Sequence, residues 1–289
     1  MKNSIVTKAT LVLILIAITS CGPSSSPGPK DIEACEPSQG AHTDSCWIND
    51  EERLTVRSMN DLERICESSC SKLSRLSVID VDGIENLNFL AGLQEIGFLT
   101  VSGIESLRSL DGLDQVDSAD TIRFARNPNL KDVSAIGALG ELEYDLSIRD
   151  NDKLENLDGL QELKALGTSA GPNQPSLKIE SNKNLKNLSG LSGIETIGGG
   201  NVYIRDNSNL RRVGGLQSVT EFPDGLLVSD NAKLQDITSL YGTEKIGKSL
   251  LIQNNPKLPN CQAQRIANNA MVAKITRISG NGSGECMQQ

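Results

Sequence analysis

The sequence predicts a mainly β fold: a single right-handed parallel β-solenoid of about eight to nine rungs, with a short helical cap at each end. An apolar–x–apolar triplet recurs at nearly regular spacing, and two fixed positions follow it in most units. Repeats of roughly 20–50 residues are typical of solenoids, because one unit cannot bury its apolar side alone whereas stacked units share a core. The 289 residues are therefore expected to form one elongated solenoid, although length alone suggests two domains.

The triplets lie between residues 76 and 260, the range expected to form the solenoid. Because successive side chains of a strand point to opposite sides, both apolar residues of a triplet are expected to face the core. The second apolar residue is, in order, Val81, Val101, Phe124, Ile148, Ile179, Ile204, Val228 and Ile252. Six residues after each stands a leucine: Leu87, Leu107, Leu130, Leu154, Leu185, Leu210, Leu234 and Leu258. Strands of successive units would pair in parallel about 4.8 Å apart.

An asparagine column follows the strand in the last six units: Asn127, Asn151, Asn182, Asn207, Asn231 and Asn255. An inward asparagine at a corner can bond the backbone groups that the turn leaves unpaired, and stacked asparagines can bond one another. The alternative is a ligand or Ca²⁺ ladder, which the neighbouring residues disfavour because they show no acidic ligand pattern. A structural ladder is therefore predicted, with no metal and no cofactor.

Residues 1–20 predict an export signal. Lys2 and Lys8 provide the positive region, and residues 9–18 are apolar apart from Thr10, a run too short to span a bilayer. The run ends in Ile18-Thr19-Ser20-Cys21, which resembles the lipobox of bacterial lipoproteins. The resemblance implies cleavage before Cys21 and its lipidation. An ordinary signal peptide followed by a chance cysteine is the alternative.

Residues 21–34 are rich in Pro, Ser and Gly and are expected to form a flexible tether. No later segment approaches 18 consecutive apolar residues, so membrane attachment is predicted through the N-terminal lipid only. The lipobox implies a bacterial cell envelope. The residues after Cys21 are not Asp, which by resemblance to outer-membrane lipoproteins favours the outer membrane; its periplasmic and outer faces both stay open.

Six further cysteines predict three disulfides, as an even number in an exported chain usually does: Cys35, Cys46, Cys66, Cys70, Cys261 and Cys286. Four precede residue 71 and two follow residue 260, so pairing within each group is favoured and Cys261–Cys286 is the clearest pair. A metal site at Cys66 and Cys70 is disfavoured, because no histidine or second cysteine motif completes it. Residues 35–75 are expected to form an N-terminal cap and residues 261–289 a C-terminal cap.

The repeat resembles two related families, leucine-rich repeats and the receptor L domain. In Asn151-Asp152-Lys153-Leu154 the leucine comes three residues after the asparagine, which is closer to the receptor L domain. The entry is also similar: Cys46, the strand segment 54–57, a helical segment 59–65, then Cys66 or Cys70. The resemblance implies that Cys46 pairs with Cys66 or Cys70, leaving Cys35 for the other. A closing helix is expected at residues 262–273.

The residues around each inward apolar position are expected to form an outward face of the parallel sheet. Arg123, Arg149, Lys178 and Arg205 would place a basic band on four consecutive rungs. Tyr203, Leu227 and Leu251 would expose apolar side chains on the last three. An apolar patch beside charge is typical of an interaction surface. The alternatives are that a loop covers the apolar residues, and that the charges only keep the protein soluble.

Composition disfavours most other functions. His42 is the one histidine, so neither a catalytic triad nor a multi-histidine metal site is expected. The net charge of −9 argues against nucleic acid as a partner. An insertion at residues 167–175 is expected on the surface, either on the binding side or as a neutral loop.

The predicted function is a non-enzymatic, envelope-anchored binding module for a protein or glycan. The alternative is a structural or adhesion spacer that acts by self-association at the cell surface. Catalytic residues are not predicted, because carboxylates recur as surface residues and none is singled out as an acid–base pair.

Overall fold

The computed structural model describes residues 54–58, 61, 71–171, 174–284 and 286, and within these ranges the fold is mainly β. Its principal feature is a long sheet in which ten strands lie side by side in chain order, all parallel. These strands are β1 (Leu54–Val56), β2 (Lys72–Ile79), β3 (Glu95–Ser102), β4 (Ser118–Ala125), β5 (Glu141–Arg149), β7 (Pro175–Glu180), β9 (Asn201–Arg205), β11 (Leu226–Ser229), β13 (Ser249–Gln253) and β15 (Ile275–Ser279). The predicted parallel β-solenoid is thereby confirmed.

Short elements form the other sides of the coil. Five two-residue strands lie between the long ones: β6 (Ala165–Leu166), β8 (Thr196–Ile197), β10 (Glu221–Phe222), β12 (Lys245–Ile246) and β14 (Met271–Val272). β6 pairs with β5 and β8, and β10, β12 and β14 form a separate parallel sheet. Single 3₁₀ turns occur at Asn88–Leu90, Ser134–Ile136, Ser189–Leu191 and Thr238–Leu240. Each rung is therefore a coil of short segments that is stabilised mainly by the rungs beside it.

The register of the long sheet follows the triplets, so equivalent residues of successive rungs stand in columns. Val202, Leu226 and Leu250 are directly opposite one another, and so are Ile204, Val228 and Ile252. These inward side chains are fully buried and belong to one aliphatic core that runs the length of the described solenoid. Aromatic rings are scarce in this core because each rung leaves room mainly for branched aliphatic side chains.

The alignment predicted for the first unit was wrong by three residues. The structure pairs Leu76 with Leu99 and Val78 with Val101, so the first inward pair is Leu76 and Val78 and not Ile79 and Val81. Val81 instead occupies the position that asparagine fills in later rungs. Both frames offer an aliphatic–x–aliphatic triplet, and only the strand pairing distinguishes them.

A column of left-handed residues ends each strand two positions after the second inward residue. Seven non-glycine residues there have φ between 53° and 59°: Asp80, Arg126, Asp150, Ser181, Asp206, Asp230 and Asn254. Gly103 and Gly280 occupy the same column with φ of 73° and 66°. Asp and Asn tolerate this conformation better than most residues, which explains why they recur at the corner. The column turns the chain so that the next residue, usually asparagine, points inward.

The C-terminal region contains a helix and one further rung. Helix α1 (Asn260–Asn269) begins two residues before the predicted start and ends four before the predicted end, and β14 and β15 follow it. β15 pairs with β13, so the long sheet continues past residue 260 into the region predicted as the C-terminal cap. The predicted disulfide between Cys261 and Cys286 is formed, with its Cα atoms 6.0 Å apart. It links the start of α1 to the end of the last rung.

Several predictions lie outside the described residues. They concern the export signal, the tether, the lipidated Cys21, His42, most of the N-terminal cap and the pairing of Cys35, Cys46, Cys66 and Cys70. None of the helices in the described part of the chain has the length and hydropathy needed to cross a bilayer.

Candidate ligand-binding face

The structure brings all seven predicted face residues onto one side of the long sheet. Five lie in a single column, each directly beside the next apart from Ser147, which stands between the first two: Arg123, Lys178, Tyr203, Leu227 and Leu251. Arg149 and Arg205 lie in the neighbouring column, on either side of Glu180. Strand alternation turns these positions away from the core, so they form one outward surface.

Tyr203, Leu227 and Leu251 form a continuous apolar strip across β9, β11 and β13. Each is directly opposite the next in the parallel ladder, and each is half-buried. The Arg205 guanidinium carbon lies 5.6 Å from the centre of the Tyr203 ring, within range of a cation–π interaction. None of the described loops buries the strip completely, so it can contribute apolar area to a partner.

The basic band carries less free charge than the sequence suggested. Arg123 forms a two-pronged pair with Asp145, in which Nε donates to Oδ1 at 3.0 Å and Nη2 to Oδ2 at 2.6 Å. Asp145 is only 4% exposed although it lies on the outward side. The hydrogen bonds that Arg123 donates to this carboxylate raise the pKa of Arg123. Arg123 therefore neutralises a buried acid as well as facing solvent.

Glu180 is a second buried acid on the outward side, and it pairs with two other cations. Lys178 Nζ lies 3.1 Å from one carboxylate oxygen of Glu180, and Arg205 Nε pairs with the other. Glu180 is 5% exposed, whereas half of the Arg205 side chain reaches solvent. Three of the four predicted cations are therefore paired with buried acids. Asp145 and Glu180 are site residues that sequence reasoning missed. They could have been noticed as acids inside strands, where they are normally rare.

Arg149 is the predicted cation that makes no ion pair or side-chain hydrogen bond with the described residues. It is half-buried and lies beside Glu180, whose carboxylate is already bound to Lys178 and Arg205. Arg126 at the neighbouring corner is exposed, and its Nη2 donates to Ser102 Oγ at 3.2 Å. Arg149 is therefore the face cation best placed to meet a carboxylate or another acceptor of a ligand.

An aromatic strip that the sequence did not predict covers the other end of the face. Phe98 and Tyr144 stack with ring centres 5.8 Å apart, and the Arg75 guanidinium lies 4.3 Å from the Phe98 ring centre. Thr121 stands in register next to Phe98 on the intervening strand, and its buried hydroxyl has no hydrogen-bond partner among the described residues. No single rung shows this strip in the sequence, because its rings come from strands two rungs apart.

The asparagine column forms a closed hydrogen-bond network inside the corner. Each of Asn127, Asn151, Asn182, Asn207, Asn231 and Asn255 is fully buried. Each Oδ1 accepts the backbone N–H of the preceding rung's corner residue at 3.0–3.2 Å, and each Nδ2 donates to a backbone carbonyl of that rung. Asn281 extends the column by one rung that the sequence analysis did not include. With their amides occupied in this way, these residues hold the corners together.

The insertion at residues 167–175 is anchored on β5 where the structure describes it. Gly167 N–H donates to Leu142 O at 2.9 Å, and Ser169 N–H donates to Glu143 O at 2.8 Å. Ser176, just after the insertion, is fully buried, and its hydroxyl has no partner among the described residues. The described part of the insertion therefore packs against the rung before it.

Comparison with known families supports the fold. Residues 115–217 match the family model of the receptor L domain. The match covers about a third of the chain and includes β4 to β9, the part of the sheet that carries Arg123, Arg149, Lys178, Tyr203 and Arg205. The receptor L domain is a non-enzymatic ligand-binding family. No match to the chain was found among curated proteins.

Proposed function

We propose that this protein is a non-enzymatic binding module that recognises a protein or glycan through the outward face of its parallel sheet. The observation that carries the proposal is the apolar strip of Tyr203, Leu227 and Leu251 on three adjacent strands. One buried outward acid, Glu180, holds two cations, Lys178 and Arg205, beside this strip. Apolar area surrounded by fixed polar groups is typical of a recognition surface.

The strip favours a protein over a glycan as the ligand. Two of its three members are leucines, which give dispersion contacts and release water but offer no flat ring for a sugar to stack on. Arg149, which has no ion pair among the described residues, would add a directed hydrogen-bond donor at the other side of the face. The expected ligand therefore presents an apolar ridge next to an acidic group.

Substitutions on the strip test this proposal. Leu227→Asp places a charge in the middle of the strip, and Arg149→Glu reverses the unpaired cation. Both are outward positions, so folding should be retained while capture of the ligand falls at least about tenfold for Leu227→Asp. Binding would be measured by in-cell cross-linking and mass spectrometry, followed by titration of the ligand identified in this way.

Thr100→Asp is the matched control. Thr100 occupies the same column as Leu227 but lies on β3, away from the strip. Thr100→Asp therefore adds the same negative charge as Leu227→Asp to the same outward column. Equal loss of binding in Thr100→Asp and Leu227→Asp, or no loss in either, would reject the strip as the binding surface.

We further propose that the module is exported and held at a bacterial envelope by lipid on Cys21. The support is the signal-like segment 1–20, the lipobox-like Ile18–Cys21 and the tether that follows. Metabolic labelling with a fatty acid should label the wild type and leave Cys21→Ser unlabelled. Protease treatment of intact cells would then show which side of the outer membrane it faces, and unlabelled wild type would contradict the anchor.

A further inference from the structure

The two ends of the solenoid carry opposite charge. Residues 245–284 contain six basic and no acidic residues: Lys245, Lys248, Lys257, Arg265, Lys274 and Arg277. Residues 71–144 contain twelve acidic residues, Asp80, Asp82, Glu85, Glu95, Glu105, Asp111, Asp114, Asp117, Asp120, Asp132, Glu141 and Glu143. Six basic residues accompany them there: Lys72, Arg75, Arg108, Arg123, Arg126 and Lys131. The chain is thus an electrostatic dipole along the solenoid axis, although its net charge is −9.

The basic end also exposes apolar side chains. Met271 on β14 is 71% exposed and Ile275 on β15 is 45% exposed, and they are the exposed large hydrophobic residues of the described chain. Lys274 and Arg277 lie beside them and are exposed, and neither pairs with an acid among the described residues. Apolar and basic side chains concentrated on one rung are typical of an interaction surface.

The same rung has an open strand edge. Within the described ranges, β15 has β13 as its one neighbouring strand. At the preceding rung, Asn254 N–H donates to Ser279 O at 2.9 Å and Asn255 N–H to Asn281 Oδ1 at 3.2 Å. The equivalent donors of the last rung, Gly280 N–H and Asn281 N–H, have no acceptor among the described residues. Donors next to Lys274 and Arg277 suit carboxylate oxygens.

We propose that this last rung, residues 271–281, is a self-association surface that docks on the acidic N-terminal rungs of a second copy. The occupant follows from charge: the end is basic, and the chain itself supplies a complementary acidic surface at the opposite end of the same solenoid. A two-fold dimer through the last rung would instead place Lys274 and Arg277 close to their own copies, which like-charge repulsion disfavours. Contact between unlike ends is heterologous, so it adds copies in a row.

This inference does not require the binding face proposed above to be correct, although Arg277 stands directly beside Leu251 of that face in the sheet. Sedimentation velocity over a wide range of protein concentration tests it directly. Copies should associate at about 0.01 M salt and separate at about 1 M, since the Debye length falls from ~30 Å to ~3 Å. The double variant Lys274→Glu, Arg277→Glu should weaken association at least about tenfold.

Lys153→Glu, Arg211→Glu is the matched control. Both residues are exposed and lie on middle rungs, so this variant has the same net charge as the end variant without altering the end. It should associate like the wild type. Far-UV circular dichroism and thermal unfolding of both variants would show that neither has lost its fold.

Charge exchange between the two ends gives the sharpest test. A second protein, Asp82→Lys, Glu85→Lys, reverses two acids on the first described rungs, and alone it should also fail to associate. Mixed with Lys274→Glu, Arg277→Glu, it should restore association into rows in which the two proteins alternate, because the unaltered ends keep the wild-type contact and the two reversed ends are again opposite in charge. The proposal would be overturned if wild type stays monomeric at low salt. It would also be overturned if the control Lys153→Glu, Arg211→Glu associates as weakly as Lys274→Glu, Arg277→Glu. Binding of monomers to anionic phosphatidylglycerol vesicles would reassign the end to a lipid surface and overturn it too.

Discussion

The inner corner and the outward face of the solenoid contrast in how the chain uses polar residues. At the corner the same residue recurs on rung after rung, and the amide hydrogen bonds of the buried Asn ladder are directed to the adjacent rungs. On the outward face, equivalent positions differ from rung to rung: Arg123, Ser147, Lys178, Tyr203, Leu227 and Leu251 share one column. The repeated column stabilises stacking, and the variable column is free to carry recognition.

The two regions also differ in how their polar groups are satisfied. Corner asparagines are neutral and bond the backbone, so they need no countercharge. Face acids such as Asp145 and Glu180 are buried by their neighbours and depend on particular cations. The face is therefore more sensitive to salt and to single charge changes, whereas the corner is more sensitive to loss of hydrogen bonds.

The largest expected effect is at the corner. Asn207→Ala removes the acceptor of Asn182 N–H and the donor to Ile179 O, both fully buried. Because buried groups left unpaired cost about 1–3 kcal/mol each, the free energy of unfolding should fall by about 3 kcal/mol or more. Urea unfolding would measure it. Asn281→Ala, at the half-buried end of the column, should cost only about 1 kcal/mol, and equal losses at both sites would contradict a ladder that is strongest in its interior.

The terminal disulfide should have the next largest effect. Cys261 and Cys286 are separated by 25 residues, and closing a loop of this size is worth about 3 kcal/mol in the chain-entropy account. Cys261→Ser, Cys286→Ser should therefore destabilise the protein by about 2–3 kcal/mol. Hydrogen exchange should speed up first in β15 and later, if at all, in the middle rungs. Uniform acceleration along the whole ladder would show that the rungs unfold together.

A smaller effect is expected on the face. Glu180→Gln keeps the shape but leaves Lys178 and Arg205 without their common acid. Since both cations reach solvent, the loss should be about 1–2 kcal/mol and should shrink as salt rises. The control is Glu155→Gln, which removes the exposed pair with Lys186 and should leave stability unchanged. A salt-independent loss at Glu180 would indicate packing and not charge.

The smallest expected effect concerns Asp120, near the edge of the face. Burial, and then the charges of Glu143 and Glu95, raise the pKa of Asp120 above its usual value of 3.8. The folded state therefore binds this proton more tightly than the unfolded state, so its stabilising contribution is lost as pH rises through the raised pKa. Asp120→Asn should stabilise the protein at neutral pH by less than about 1 kcal/mol, because the group is partly exposed. The unfolding midpoints of Asp120→Asn and wild type should coincide at acidic pH and differ at neutral pH. A difference that does not change with pH would refute the linkage.

The solenoid could be predicted because its information is repeated. Most rungs repeat the same inward apolar pair, leucine and asparagine, so a misaligned unit does not change the predicted fold. The first unit shows the limit. Leu76–Val78 and Ile79–Val81 have the same local pattern, and pairing with β3 selects the former. Asn281 was missed for a related reason, since helix α1 interrupts the repeat before it.

The sequence by itself determined the period, the inward columns, the asparagine corner and the Cys261–Cys286 pair, because each depends on local spacing or on cysteine grouping. Only the tertiary structure decided which outward charges are free. Asp145 pairs with Arg123, and Glu180 pairs with Arg205, across neighbouring strands of the sheet. Glu180 also pairs with Lys178, which lies two residues before it on the same strand. Such pairing depends on lateral register and burial, which follow from how rungs stack and not from any one rung.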